Sequence, residues 1–410
     1  MKKKAVITGI GVVSPLGIGH QDFWNNLVSG NSCIGPMENL DLSTYECKNG
    51  AEVKGLNPEE FLGRKGLKYL NKGTKFLGSS VKMALDDANL NIDEDVSNRT
   101  GILIGSSLGN FSQTTDYFHD IVRESPSEIS PMQSYDVALN SSINYASVVF
   151  KIKNFARTIS SGFTSGTDAI GNAVKLIQNG KANVIIAGGL EQISFDLYMI
   201  FYIRKMLART NGTGSEISMP FDKRRNGFIM SEGSYVFILE DCDYALSRGA
   251  RIYGEVSGFG SIFAGNRNCD IEKRAEKAVN AMKKCLNDAG ITPENIDLIS
   301  ANGNSGKSSD LIEAKAIKEL FGTKSEYIPV HTIKSTLGES YGASGAAQTA
   351  SALLSINSGL IPPTINYKEK DPGFNLNVVS EKLEKDINTV LINSFDLSGN
   401  NSCLVIKKHE

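Results

Sequence analysis

Apolar residues in this chain fall mostly into short solid runs, separated by longer stretches with helical spacing. Ala5–Ile10, Gly101–Gly105, Asn183–Gly189 and Tyr235–Glu240 read as strands buried on both faces. Helices are predicted between them, one carrying Phe23, Trp24 and Leu27 and one over 76–89. A helix over 106–120 places Phe111, Thr114 and Phe118 on one face. A second series opens at Arg251–Gly260. An amphipathic helix over 272–289 follows, then a strand at Ile296–Ala301 and a helix through Ile312, Ala316 and Leu320. The stretch 343–357 is so rich in Ala and other small residues that it predicts a helix buried all round. The last strands are Thr389–Asn393 and Cys403–Lys407. Strands alternating with helices imply an α/β protein with parallel-rich sheets covered by helices. The two series share an order of elements but little sequence, so the chain divides into similar halves, 1–250 and 251–410.

Composition adds exclusions. The chain has 410 residues, 40% of them hydrophobic, and a formal net charge of -2, which does not suit a general nucleic-acid binder. Lys65, Lys68, Lys72 and Lys75 read as a solvated face, with an acidic partner surface as the alternative. Three lysines before an apolar run imitate a secretion signal. Thr8 and several glycines interrupt that run, which reads better as a buried first strand ending in a Gly/Pro turn. No apolar stretch is long enough to span a membrane. Cys33, Cys47, Cys242, Cys269, Cys285 and Cys403 form no C-x-x-C pair, which implies a reduced cytoplasmic protein with no metal site and no cofactor.

The candidate chemistry centres on Arg157-Thr-Ile-Ser-Ser-Gly-Phe-Thr-Ser-Gly-Thr-Asp-Ala-Ile-Gly171. A β-branched strand, a run of small residues and a buried helix make a nucleophile elbow, with the helix N-terminus behind its tip. The tip is Phe163, which is neither nucleophile, acid nor ligand.

Taken together and in order, several motifs carry a resemblance. They are Val6-Ile-Thr-Gly-Ile-Gly-Val-Val-Ser-Pro-Leu-Gly17, the elbow, Ala187-Gly-Gly189, Phe221-Asp-Lys-Arg-Arg-Asn-Gly-Phe228 with Glu232-Gly233, and Lys334 before a glycine-rich turn. The chain resembles the β-ketoacyl-acyl-carrier-protein synthases nearly end to end. The resemblance implies a thiolase-like fold, a five-layered αβαβα sandwich of two similar halves. In an active member, a Cys at the elbow tip takes an acyl chain from a carrier protein. Two His residues then serve decarboxylation and stabilise the enolate and oxyanion. Matched residue by residue, the Cys position is Phe163 and the His positions are Asn302 and Glu339; Lys334 is retained, with Asp310 and Glu313 on the following helix. The family's Gly-Phe-Gly-Gly gating loop reads Asp396-Leu-Ser-Gly399. His20, His119, His331 and His409 do not fall on the lost positions, and His331 reads as structural. Glu339 beside Lys334 reads as an ion pair in place of a catalytic one.

A scaffold that has lost its nucleophile and both imidazoles looks like a chain-length factor, the ketosynthase β-subunit of type II polyketide synthases. That resemblance implies pairing with a Cys-bearing ketosynthase α-subunit. A growing poly-β-ketoacyl chain would lie in a tunnel between the two, limited by Phe111, Thr114 and Phe118. Acyl carrier protein would dock mostly through the partner. Actinobacterial members carry Gln at the tip, so Phe163 points to a divergent branch making aromatic polyketides or aryl polyenes, without a decarboxylase role. Two alternatives remain open. One is an acyl-handling enzyme using Ser160, Ser161, Thr164 or Ser165 with Glu339 as base. The other is a homodimeric remnant that binds carrier protein, with Lys65, Lys68, Arg204, Lys205, Lys223, Arg224 and Arg225 as docking candidates.

Overall fold

The computed structural model describes residues 3–123, 127, 136–210, 215–265 and 270–409. Cys269 and the first two residues lie outside them. In the first half the main elements are β1 (Ala5–Ser14), α1 (His20–Val28), α2 (Lys72–Asp87), β2 (Thr100–Gly105), α3 (Phe111–Arg123) and α4 (Ser141–Val149). They continue with β3 (Phe155–Ile159), α5 (Ser165–Gln178), β4 (Val184–Glu191), α6 (Phe195–Ile203) and β5 (Gly233–Asp241). The second half has β6 (Gly254–Phe263), α7 (Ile271–Ala289), β7 (Leu298–Ser300), α8 (Lys307–Phe321), β8 (Pro329–His331), α9 (Ser344–Ser358), β9 (Thr389–Phe395) and β10 (Asn400–Lys407).

The halves repeat one topology. The first sheet runs β3-β2-β4-β5-β1 and the second runs β8-β7-β9-β10-β6. Within each sheet, the first two pairings are parallel and the last two antiparallel. The repeat reaches single residues. The β1/β5 register shifts between Ile7 and Gly9, and the β6/β10 register shifts between Val256 and Gly258. A Cβ on Gly9 or Gly11 would overlap the α2 backbone; on Gly258 or Gly260 it would overlap that of α7. Each outer helix therefore lies against its sheet at bare-backbone distance. The sheets also join edge to edge, through Val6↔Glu255 and Ile7↔Gly254, so the strands form one hydrogen-bonded sheet folded into two layers.

Helices α5 and α9 fill the space between the layers, α2 and α4 cover the first sheet, and α7 and α8 cover the second. The α9 run is buried over Ser344–Ile356, as its composition requires. Where α5 meets the second half, a Cβ on Gly166 would come within 2.7 Å of the Gly342 carbonyl, so only small residues allow this crossing.

The element order agrees with the sequence reading, but the sheets are mixed rather than parallel-rich, because β5 and β1, and likewise β10 and β6, add on antiparallel; the other differences are local. Helix α2 starts at Lys72 rather than 76, because Asn71 caps it by accepting from the Thr74 amide at 2.7 Å. Lys72 is no solvated lysine, since it pairs with the buried Glu232 at 2.6 Å. Helix α6, FDLYMIFYI, has no polar face and no period, and the reading missed it. Among the described residues no helix is long and apolar enough to cross a membrane, and no group of side chains could hold a metal ion. Cys33, Cys47, Cys242, Cys285 and Cys403 are free thiols.

Candidate functional site

Strand β3 ends at Ile159. The chain then turns at Gly162, whose φ of 72° favours glycine, and α5 begins at Ser165. The tip between them is Phe163, which is 5% exposed. Its ring meets Tyr341, Phe201 and Phe228 edge-on, with centroids at 5.3, 6.0 and 6.3 Å. Phe201 and Tyr341 stack on each other at 5.1 Å. The tip is therefore the centre of an aromatic box drawn from both halves, a packing arrangement of rings without a thiol or an imidazole. Of the box, the sequence reading saw only Phe163 as a site residue. Phe201 was hidden in the unrecognised α6, and Tyr341 sits just past the turn that supplies Glu339.

Asn302 and Glu339, the positions that the resemblance matches to imidazoles, meet at Lys334. Its ammonium lies 2.8 Å from Glu339 Oε2 and 3.0 Å from Asn302 Oδ1, and all three residues are at most 1% exposed. Glu339 accepts further hydrogen bonds from the Tyr341 amide at 3.0 Å and the Ser344 hydroxyl at 2.5 Å. Asn302 Oδ1 also accepts from the Phe395 amide at 3.2 Å. The amides of Asn302 and Gly303 donate to Glu313 at 2.8 and 2.7 Å, and burial pushes that carboxyl up to about 7. Asp310 holds the amides of Asn304 and Phe221 at 2.9 and 2.8 Å and is pushed up by burial to about 6. The polar centre is thus a connected network of Lys334, Asn302, Glu339 and Glu313.

The hydroxyls flanking the tip are likewise engaged. Asp168 accepts from Ser161 at 2.5 Å, Thr164 at 2.9 Å and Ser402 at 2.6 Å, while Ser165 donates to the Gly162 carbonyl at 2.5 Å. Ser160 donates to the Ser107 carbonyl at 3.0 Å. The partners of Glu339 are instead Lys334, Asn304, Tyr341 and Ser344. Asp168, which organises these hydroxyls, was absent from the sequence reading.

A cavity of about 470 Å³ opens over the tip, lined by Leu108, Phe163, Leu197, Phe201, Arg204 and Leu397 among others. Its lining residues include neither Cys nor His. A second cavity of about 290 Å³ lies on the other side of the Asp396–Leu397 loop, beside Asn304, Lys205 and Lys307. Neither is lined by Phe111, Thr114 or Phe118. Those three sit on α3, which buries none of its residues in the single chain. Thr114 turns its hydroxyl to the Val137 carbonyl at 2.7 Å, whereas Phe118 is 57% exposed.

Among the basic candidates for docking, Arg225 is corrected: it is 5% exposed and ion-paired with Asp371 at 2.6 Å. Arg224 is held by Asp222 at 2.8 Å and Glu369 at 3.5 Å. Lys65, Lys68, Arg204, Lys205 and Lys223 are exposed. His331 is buried with both ring nitrogens unpartnered, and burial lowers it to about 4.

Comparison with known proteins agrees with this scaffold. The model of the β-ketoacyl synthase N-terminal domain matches residues 2–245, and that of the C-terminal domain matches residues 253–368. The chain is 34% identical to a 3-oxoacyl-(acyl-carrier-protein) synthase 2 of Coxiella burnetii, over 99% of each chain. It is 33% identical to the protein of that name from Synechocystis sp., over 100% of this chain and 99% of the other. Among solved structures it is similar to the ishigamide ketosynthase/chain length factor, with a TM-score of 0.93, 27% identity and 100% of both chains covered. It is also similar to a type II PKS acyl-carrier protein in complex with its ketosynthase bound to the hexaketide, with a TM-score of 0.88, 27% identity and 100% of both chains covered. The duplicated halves, the elbow in the first of them and a match over most of the chain leave one assignment: this protein belongs to the β-ketoacyl synthase family.

Proposed function

We propose that this chain is a non-catalytic chain-length factor, the β-subunit that pairs with a Cys-bearing ketosynthase α-subunit. The observation that carries this reading is the filled centre. Phe163 stands at the tip inside an aromatic box, and Asn302 and Glu339 are tied to Lys334 where imidazoles would act. Acyl transfer needs a thiolate, and the cavity over the tip has none in its lining. The scaffold around the silent centre is kept, which suits a subunit that shapes a partner's site. In this reading Phe111, Thr114 and Phe118 wall the tunnel that holds the poly-β-ketoacyl chain. Asp396 and Leu397 stand at the gating-loop positions, and carrier protein docks mostly at the partner. The ishigamide ketosynthase/chain length factor among the similar structures supports it.

A second reading, a self-sufficient condensing enzyme, is favoured by relatives named 3-oxoacyl-(acyl-carrier-protein) synthase 2. It requires a nucleophile, and the hydroxyls at the elbow are engaged without a His beside them.

The deciding experiment expresses this chain alone and together with a Cys-bearing ketosynthase from the same organism, and measures native mass and malonyl elongation on carrier protein. A one-to-one complex that elongates, with an inactive chain alone, is expected. A well-behaved homodimer that never captures the ketosynthase, or condensation by the chain alone, sinks the proposal.

A further inference from the structure

Acyl-transfer sites aim backbone amides at the negative charge that develops on a carbonyl oxygen, and the N–H of the nucleophile's own residue can be one of them. Here that amide is occupied. Phe163 N–H donates to Oδ1 of Asp396 at 3.0 Å, across 233 residues of sequence. The other carboxylate oxygen accepts from the Ser398 amide at 2.7 Å and from the Ser398 hydroxyl. The contact is tight, since a Cβ on Gly162 would overlap Oδ1 of Asp396. The Asp396 backbone is closed as well: its amide donates to the Asn400 carbonyl at 2.8 Å, and its carbonyl accepts from the Gly399 amide at 3.2 Å.

From the outside the same loop is held by Arg274, whose Nη2 donates to the Leu397 carbonyl at 3.0 Å. Asp396, Leu397 and Arg274 line both the 470 Å³ cavity over the tip and the 290 Å³ cavity beyond it, so the loop is the wall between them. A carboxylate on a backbone N–H is a charge-assisted hydrogen bond, stronger than one from a neutral carbonyl. An incoming thioester oxygen would have to displace it.

We propose that Asp396 is an internal anion filling the oxyanion-binding amide of the elbow. The chain is then closed to thioester chemistry at two separate points, the missing thiol and the occupied amide. Restoring the thiol alone leaves it closed. This holds whether or not the chain serves as a chain-length factor.

The test uses the full-length chain carrying Phe163→Cys, with position 396 unchanged, Asp396→Asn or Asp396→Gly. Each is exposed to the octanoyl thioester of N-acetylcysteamine and, separately, to iodoacetamide. In the first reaction the new thiolate attacks the carbonyl carbon, a C–S bond forms and the electron pair moves onto the oxygen. Its return breaks the old C–S bond and expels N-acetylcysteamine thiolate, which takes a proton from water. Alkylation uses the same thiolate and releases iodide, but builds no charge at the elbow amide. Asn removes the charge and keeps an oxygen on the amide; Gly empties the site. Acylation, followed by intact mass, is expected to run about 100-fold faster with Asp396→Gly than with Asp396→Asn. Alkylation should stay within about threefold between the two, because it follows the thiolate fraction and access. Equal acylation with Asn and Gly overturns the proposal. A second measurement needs no thiol: with Phe163 retained, hydrogen exchange over residues 161–164 should quicken in Asp396→Gly and not in Asp396→Asn. Unchanged exchange in Asp396→Gly also overturns it.

Discussion

Lys334 is held in a buried ion pair. Its ammonium is 1% exposed and faces Glu339 at 2.8 Å. A buried pair of this kind adds little net stability over an apolar pair, but removing one partner strands the other charge. Glu339→Ala should therefore cost about 3–5 kcal/mol, read from the denaturant midpoint. The double change Lys334→Met with Glu339→Gln should cost less, because it removes both charges and keeps an acceptor for the Tyr341 amide. If the single change is neutral, the pair is not closed in solution. His331 makes a prediction about pH. Burial lowers it from an ordinary 6.5 to about 4, so the unfolded chain takes up its proton first. Its contribution is complete above pH 6.5 and is lost as pH falls toward 4. Glu191 and Glu313 act with opposite sign. Burial raises both from 4.5 to about 7, so their contribution is lost as pH rises through that window. Wild-type stability alone mixes the three. The difference between wild type and His331→Leu isolates the imidazole, and it should grow in favour of wild type from pH 4 to 6.5. A flat difference would mean that His331 has a partner in solution. Of these residues, the sequence named Phe163, Asn302, Lys334 and Glu339, because each falls inside a spaced motif. It singled out neither Asp168, although that residue lies in the elbow stretch, nor the Phe201–Tyr341 stack, which joins residues far apart in the chain.

Among the elements, α3 is the one whose role depends on what covers it. It buries none of its residues, and Phe118 and Val122 are 57% and 84% exposed. Two threonines fasten it to the body: Thr114 to the Val137 carbonyl at 2.7 Å, and Thr115 to Asp196 at 2.7 Å. Thr114 and Thr115 tie the first turns of α3 to the body, while Phe118 and Val122 further along stay bare, which suits a wall that a second chain would complete in the proposed pairing. Phe118→Ala should leave the stability of the single chain within about 0.5 kcal/mol, while lengthening the product of the assembled complex. An unchanged product length would remove Phe118 from the wall. The period of Phe111, Thr114 and Phe118 was legible in the sequence. Whether that face looked inward or outward was not, since a 3.6-residue repeat is the same in either case.

At the scale of the molecule, the sheet ends at β3, whose outer side has no strand beside it among the described residues. Exposed apolar residues on α3, α4 and α6, including Val122, Val148 and Ile203, leave further surface uncovered. An open edge of this kind is a template for pairing with another chain. Hydrogen exchange of the β3 amides, Phe155–Ile159, should slow when the ketosynthase partner is added. If the edge exchanges equally fast in the complex, the partner sits elsewhere. The same scale holds the duplication. Both halves carry a register shift and a pair of close-approach glycines at matching places, although their sequences have diverged. Sequence order showed the repeat of elements. The matching bulges emerged only from strand pairing, which joins residues more than two hundred positions apart in β1 and β5.

By itself, the sequence determined the order of strands and helices, the elbow, the phenylalanine at its tip, and the family. These are local facts, carried by hydrophobic runs, by spacing and by the identity of single side chains. Tertiary structure decided what surrounds the tip. It closed an aromatic box around Phe163, spent Arg225 on Asp371, and set the Asp396 carboxylate on the elbow amide. Each of those contacts spans a long stretch of chain or depends on burial. No pattern of neighbouring residues encodes them, because they exist only once two layers of sheet have packed around two central helices.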